Sequence, residues 1–150
     1  MLKAHSLAHS LLVPLLLIAS TGPATAQVLV PYRVDGDAIR GPLTTQPGDA
    51  ARGKSIAVSR DSNCILCHAV PDSGERFMGN LGPPLAGVGA RLSAGQLRLR
   101  IVDSMRLNPE TIMPSYYRVE GLTGVAGPYR DKPVLTAQQI EDVIAYLLTL

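Results

Sequence analysis

The sequence has 150 residues, a formal net charge of +2, one Phe, five Tyr and no Trp. A chain of this length forms one small domain with a core, and the scarcity of aromatic residues indicates that something other than aromatic side chains helps to fill it. A nearly neutral charge without a basic cluster argues against nucleic acid as a partner. The 14 Gly and 12 Pro predict many loops and few long elements.

The first 26 residues have the features of an export signal. Residues 1–10 are weakly basic, residues 11–19 form an apolar run too short to span a bilayer, and Ala24-Thr25-Ala26 offers a small-residue cleavage site. We therefore predict that residues 1–26 are a signal peptide and that the mature chain begins at Gln27. No second apolar run approaches about 20 residues, so no stable membrane insertion is expected after cleavage.

The mature chain is expected to begin with a segment that lacks regular structure. Residues 27–48 are rich in Gly, Pro and isolated charges, which predicts an extended N-terminal arm. Asp49 can then cap a short helix that ends near Arg60. In that helix, Gly53 would allow close approach to the last helix near Tyr146, although a merely tolerated glycine is the alternative.

The middle of the chain alternates between loop and helix signals. Residues 71–84 are rich in Gly and Pro, which predicts a loop. Ser93 and Gln96 form a capping-box pattern ahead of apolar residues at helical spacing. We predict a helix at about 94–107, ended by Asn108-Pro109.

The end of the chain carries the strongest helix pattern. Thr136 and Gln139 repeat the capping box, and the apolar residues from Ile140 to Leu148 follow helical spacing. No alternating pattern of useful length predicts a strand. The predicted fold class is all-α, with a single domain at 49–150.

The motif Cys64-Ile65-Leu66-Cys67-His68 is the clearest chemical signal. Two cysteines in an exported chain would ordinarily suggest a disulfide, but this spacing is typical of covalent haem attachment, with Cys64 and Cys67 as anchors and His68 as an iron ligand. We predict one covalently bound haem c. A redox dithiol and half of a zinc site are the alternatives; the first gives no reason for His68, and the second lacks further ligands.

A second iron ligand is expected because six-coordinate haem iron changes little in geometry between oxidation states. With no other histidine or cysteine in the mature chain, methionine is the leading choice. Met113 lies in a loop stiffened by Pro109 and Pro114, which lowers the entropy lost in holding its sulfur. Met105 fits core packing better, and Met78 follows His68 too closely to reach the opposite haem face.

Two further residues are candidates for support of the haem. A backbone carbonyl in the loop Gly82-Pro83-Pro84-Leu85, with Pro83 as the candidate residue, could accept a hydrogen bond from the far ring nitrogen of His68 and so orient its ring; a simple turn is the alternative. Arg91 could neutralise a haem propionate, although an exposed arginine without this role is equally compatible with the sequence.

Four segments together resemble one family. They are Cys64–His68, the stretch Gly82-Pro83-Pro84-Leu85 through Arg91, the stretch Asn108-Pro109-Glu110 through Tyr117, and residues 135–150. This pattern resembles SoxX, the monohaem c-type subunit of the SoxAX cytochrome of thiosulfate oxidation. The resemblance covers most of residues 64–150, and residues 27–48 contribute little to it.

The resemblance implies a class I cytochrome c fold with His68 and Met113 as axial ligands. It also implies a periplasmic heterodimer with a SoxA-like cytochrome, which joins thiosulfate to a cysteine of a SoxYZ-like carrier and sends electrons to a downstream cytochrome. The sulfur chemistry would then belong to the partner. An independent cytochrome shuttle would have the same ligands, and a haem sensor would need an open sixth position.

Overall fold

The computed structural model describes residues 29–150, so the predicted signal peptide and the first two residues of the predicted arm lie outside the described residues. Within this range the regular elements are α1 (Ala50–Ala57), α2 (Val88–Arg91), α3 (Ala94–Asp103) and α4 (Ala137–Leu147), with 3-10 turns at Cys64–Leu66, Ser104–Arg106 and Gly127–Tyr129. The only strand-like feature there is an isolated bridge between Asp35 and Ala38. The predicted all-α class is confirmed. None of the helices in residues 29–150 is long and apolar enough to cross a membrane.

Side-chain caps begin three of the four helices at the predicted positions. The carboxylate of Asp49 accepts a hydrogen bond from the backbone of α1, and Ser93 and Thr136 each form a complete capping box. The α-helical part of α3 ends at Asp103 and continues as a 3-10 turn to Arg106, close to the predicted limit. Local sequence thus determines where these helices begin.

Two details differ from the predicted elements. Helix α1 ends at Ala57 instead of near Arg60, because the chain turns there and the Ser62 hydroxyl donates to the carbonyl of Ile56 in the last turn. Helix α2 was not predicted; it is a single turn that follows Gly87 in the left-handed conformation (φ 67°). Four residues are too few to produce an apolar repeat that sequence can reveal.

Helices α1 and α4 cross at very short distance. A Cβ atom added to Gly53 would lie 1.9 Å from the carbonyl oxygen of Asp142 and 2.9 Å from the Cβ of Tyr146. Only a residue without a side chain allows this approach. The prediction that Gly53 brings the first helix close to the last near Tyr146 is confirmed.

The described part of residues 27–48 contains no helix but contributes to the core. Ile39 and Leu43 are buried, and the backbone around them bonds to a buried ion pair between Arg98 of α3 and Glu141 of α4. Arg98 Nη1 donates to the Ile39 carbonyl at 2.7 Å, and Leu43 N–H donates to Glu141 Oε1 at 2.8 Å. This segment therefore ties α3 to α4.

Candidate haem-binding site

The attachment motif is shaped by one 3-10 turn. Asn63 adopts a left-handed conformation (φ 52°) and introduces the turn Cys64–Leu66. The carbonyl of Cys64 then accepts hydrogen bonds from the backbone N–H groups of Cys67 (3.2 Å) and His68 (2.9 Å). Both cysteines are half-buried and free. The turn holds the backbones of the two cysteines and His68 close together without any other regular element.

The His68 ring is held in one orientation. Its Nδ1 lies 2.7 Å from the carbonyl oxygen of Pro83, so Nδ1 donates the hydrogen bond and Nε2 is left for a metal. The ring also packs directly on Gly82, where an added Cβ would lie 2.3 Å from His68 Cε1. Any other residue at position 82 would displace the ring.

Arg91 lies behind this loop and is exposed. Its Nη1 donates to the carbonyl of Ala86 at 2.5 Å and its Nη2 donates to the carbonyl of Pro84 at 3.0 Å. Arg91 thus braces the residues that follow Pro83. It is not among the residues that line the cavity described next.

An apolar cavity of about 330 Å³ opens beside His68. Cys64, His68, Pro83 and Met113 all line it, so four of the predicted site residues converge on one space, whereas Cys67 and Arg91 are not among the lining residues. Most of the remaining wall is aliphatic and comes from α2, α3, α4 and the loops: Ala57, Leu85, Val88, Leu92, Leu97, Ile101, Leu107, Leu135, Val143 and Leu147. A flat, largely apolar group bound through thiols, an imidazole and a thioether fits this wall.

Met113 is anchored at the cavity through its backbone. Its carbonyl accepts a hydrogen bond from the Ser104 hydroxyl at 2.6 Å, and its N–H donates to Thr111 Oγ1 at 3.2 Å. Ser104 begins the 3-10 turn after α3, so that helix and the methionine loop are directly connected. The Met113 side chain is partly buried against the core.

The other two methionines of the described residues do not line this cavity. The sulfur of Met78 accepts hydrogen bonds from Val70 N–H (3.2 Å) and the Ser73 hydroxyl (3.4 Å). The sulfur of Met105 lies 3.7 Å from Nη1 of Arg118. Of the three thioethers, the structure brings Met113 alone to the wall that also holds His68.

Tyr116 links the methionine loop to the attachment motif. Its buried hydroxyl donates to the carbonyl of Ser62 at 2.6 Å and also interacts with Cys64. Burial raises the pKa of the Tyr116 hydroxyl, and the neighbouring Cys64 raises it further. Burial likewise raises the pKa of the Cys64 thiol. Hydrogen bonds with Ser62 and Tyr116 lower this pKa but do not outweigh the effect of burial. Tyr116 had no role among the predictions made from the sequence.

Arg100 also lines the cavity and was not among the residues predicted from the sequence. Its position three residues after Leu97 and one before Ile101 places it at the edge of the apolar face of α3. Helical spacing was therefore the signal that could have found it.

Comparisons with known proteins agree with this geometry. A family model for cytochrome c matches residues 50–150. A chain in the crystal structure of SoxXA from P. pantotrophus is 33% identical, with a TM-score of 0.71, and the match covers 79% of this chain and 93% of that chain. None of the curated proteins compared with the sequence matches it. These matches confirm the resemblance that the motifs indicated and the class I cytochrome c-like fold.

Proposed function

Because this chain belongs to the cytochrome c family and is a SoxX-like electron-transfer cytochrome, we propose that it is the electron-transfer subunit of a periplasmic SoxAX-type complex. That complex would couple thiosulfate oxidatively to a cysteine of a SoxYZ-like carrier. The observation that carries the proposal is the 33% identity over 93% of a chain from SoxXA.

Family membership implies covalently bound haem c, and the cavity residues suit a single group. Cys64 and Cys67 would bind it through thioethers, and His68 and Met113 would be the axial ligands. Haem c, when bound, supplies one-electron oxidation and reduction at its iron. The Pro83 carbonyl keeps the His68 ring oriented, Arg91 braces the loop that carries Pro83, and the aliphatic wall excludes water.

The cysteine content restricts the role of this chain to electron transfer. The sequence has two cysteines, and haem attachment uses both. No thiol is then left to carry a sulfane group or to attack one. Under this proposal the sulfur chemistry belongs to a SoxA-like partner, and this chain passes electrons from that partner to a downstream cytochrome.

Exposed apolar side chains on the loops around the attachment motif and Met113 are consistent with a protein partner; the backbone of one of these loops bonds to the motif through Gly79 N–H and the Ile65 carbonyl. Leu66, Phe77, Leu81 and Ile112 are 62%, 87%, 71% and 73% exposed. Leu66 belongs to the attachment turn, and Ile112 precedes Met113. A net charge of +2 provides little long-range steering, so an apolar contact near the haem is the favoured basis for pairing.

The test is an assay of purified protein with thiosulfate and ferricyanide. We expect turnover only when a SoxA-like partner and a carrier thiol are both present, and thiosulfate consumption by this chain alone would overturn the division of roles. A pull-down from periplasm should recover a SoxA-like cytochrome. A haem-loaded protein that recovers no stable partner would instead identify an independent electron shuttle.

A matched pair of surface variants tests the contact itself. Phe77→Asp places a charge on the most exposed of these apolar side chains and should weaken binding to the partner about tenfold. Leu122→Asp makes the same change at a residue that is 38% exposed and lines a separate surface pocket with Val119 and Val125. Equal weakening by both variants would show that the contact lies elsewhere.

A further inference from the structure

Arg100 has an environment unlike that of the other arginines near it. Among the described residues that line the haem-binding cavity, it is the only one with a permanently charged side chain. It is half-buried. A cation at the wall of a largely apolar cavity is costly unless an anion accompanies it.

The protein itself supplies no such anion to Arg100 within residues 29–150. Its one hydrogen bond there runs from Nη1 to the carbonyl of Gln96 at 3.0 Å. By contrast, Arg98 pairs with Glu141 at 2.7 Å, and Arg106 and Arg118 both lie near Asp103. The Arg100 guanidinium therefore has N–H groups that donate to no carboxylate among the described residues.

Haem c carries propionate carboxylates, and these are the anions that would enter this cavity with the cofactor. We infer that Arg100 binds a haem propionate and thereby fixes the charge next to the iron, an inference that rests on the proposed haem binding. Arginine suits this task because its planar guanidinium can pair with a carboxylate through two hydrogen bonds. Arg91, the residue that the sequence suggested for this role, already donates to two backbone carbonyls.

The pairing has a predictable effect on redox behaviour. A cation near the iron opposes the positive charge gained on oxidation and so stabilises the reduced form. Without Arg100, the negative charge of the propionate is uncompensated in a medium of low polarity. That charge then stabilises the oxidised form relative to the reduced form. Loss of Arg100 should therefore lower the midpoint potential.

The experiment compares Arg100→Gln, Arg100→Lys and Arg106→Gln in haem-loaded protein. Arg106→Gln removes the same charge from a neighbouring turn but leaves the cavity wall intact. Midpoint potentials are measured together with the propionate bending vibration in the resonance Raman spectrum, which reports hydrogen bonding to that carboxylate. We expect Arg100→Gln to lower the potential and shift the vibration, Arg100→Lys to restore part of both, and Arg106→Gln to change neither.

Several outcomes would overturn the inference. Haem-loaded Arg100→Gln with an unchanged potential and vibration would show that Arg100 does not bind the propionate, and the same shifts in Arg91→Gln alone would assign the role to Arg91. If Arg100→Gln does not retain haem, Arg100→Lys decides through the same vibration. Wild-type protein that carries no haem would instead refute the proposed function, so the two failures are distinguishable.

Discussion

The crossing of α1 with α4 and the two loops that enclose the cavity are built by different means. At the crossing, backbone approaches backbone through Gly53, and Asp142 accepts hydrogen bonds from the Asp49 N–H and the Arg52 side chain. The cavity loops have no α-helix at Cys64 or Met113, and a few hydrogen bonds hold them, among them those from Ser104 to the Met113 carbonyl and from Tyr116 to the Ser62 carbonyl.

This difference separates the part of the fold that the chain can complete alone from the part that needs a cofactor. Helix caps and the glycine contact are properties of the polypeptide, whereas the cavity walls face a space that protein atoms do not fill. The residues that line such a cavity lack packing contacts unless a ligand occupies it, and this lowers the stability of the fold. Changes at the loops should therefore alter haem binding, and changes at the crossing should alter stability.

The largest effect is expected at the attachment loop. Replacing Cys64 and Cys67 together by Ser should abolish covalent haem, because serine forms no thioether. Intact mass spectrometry of the mature protein measures whether haem is covalently attached. The wild-type chain, beginning at Gln27, should be heavier than its polypeptide by the mass of one haem. Wild-type protein from native periplasm that carries a Cys64–Cys67 disulfide and no haem would refute the assignment.

Met113→Ala tests the opposite loop and should leave haem attached while it changes the iron spectrum. The weak near-infrared band of sulfur bound to ferric iron should disappear, since no other thioether of the described residues lines the cavity. Met78→Ala and Met105→Ala are matched controls and should keep the band. Loss of the band in either control, but not in Met113→Ala, would mean that a different sulfur binds the iron.

At the crossing, Gly53→Ala should destabilise the fold by about 2–3 kcal/mol, because the added methyl would overpack against the α4 backbone. The gain in helix propensity of up to about 1 kcal/mol offsets only part of this. Denaturant unfolding measures the change, with Gly127→Ala as a control in open space. Equal stability of Gly53→Ala and wild type would show that the crossing is looser than the structure indicates.

The smallest effect is a pH dependence that originates at the same crossing. Burial alone would raise the pKa of Asp142, but hydrogen bonds from Arg52, the Asp49 N–H and Gln138 outweigh it and lower the pKa. The folded-state pKa of Asp142 therefore lies below the unfolded value, which is about 3.9 for Asp. The ionised side chain stabilises the fold at pH values above the unfolded pKa, and this stabilisation is lost as the pH falls through the folded-state pKa.

Acid unfolding compares Asp142→Asn with the wild type. The variant should be less stable at neutral pH, and its stability should fall less steeply on acidification. The exposed Asp61→Asn is a control that should follow the wild-type curve. A variant curve parallel to that of the wild type would contradict the lowered pKa.

The sequence predicted the helices whose signals are local. The caps at Asp49, Ser93 and Thr136 were all identified, because each depends on residues within one turn. Gly53 was identified as a glycine inside a helical pattern, although its contact is with the distant helix α4. The single turn α2 was not predicted because it is too short to show an apolar repeat.

Long-range contacts could not be predicted in the same way. Nothing in the composition of residues 27–48 indicates that Ile39 and Leu43 are buried, or that their backbone bonds to Arg98 and Glu141. The motifs did select residues 64, 68 and 113, which meet at one cavity. Arg100 was missed because its role depends on which face of α3 meets the cavity.

Gly48 and Gly53 also limit the length of the chain between them. An added Cβ on Gly48 would lie 2.1 Å from the carbonyl oxygen of Glu141, and one on Gly53 would lie 1.9 Å from that of Asp142. These two contacts with consecutive carbonyls of α4 fix the translation of α1 along α4 as well as its rotation. One inserted residue between them would rotate α1 by about 100° relative to the first contact. An insertion or deletion between them should therefore cost more stability than a substitution at an exposed position of α1 such as Ala51 or Ser55.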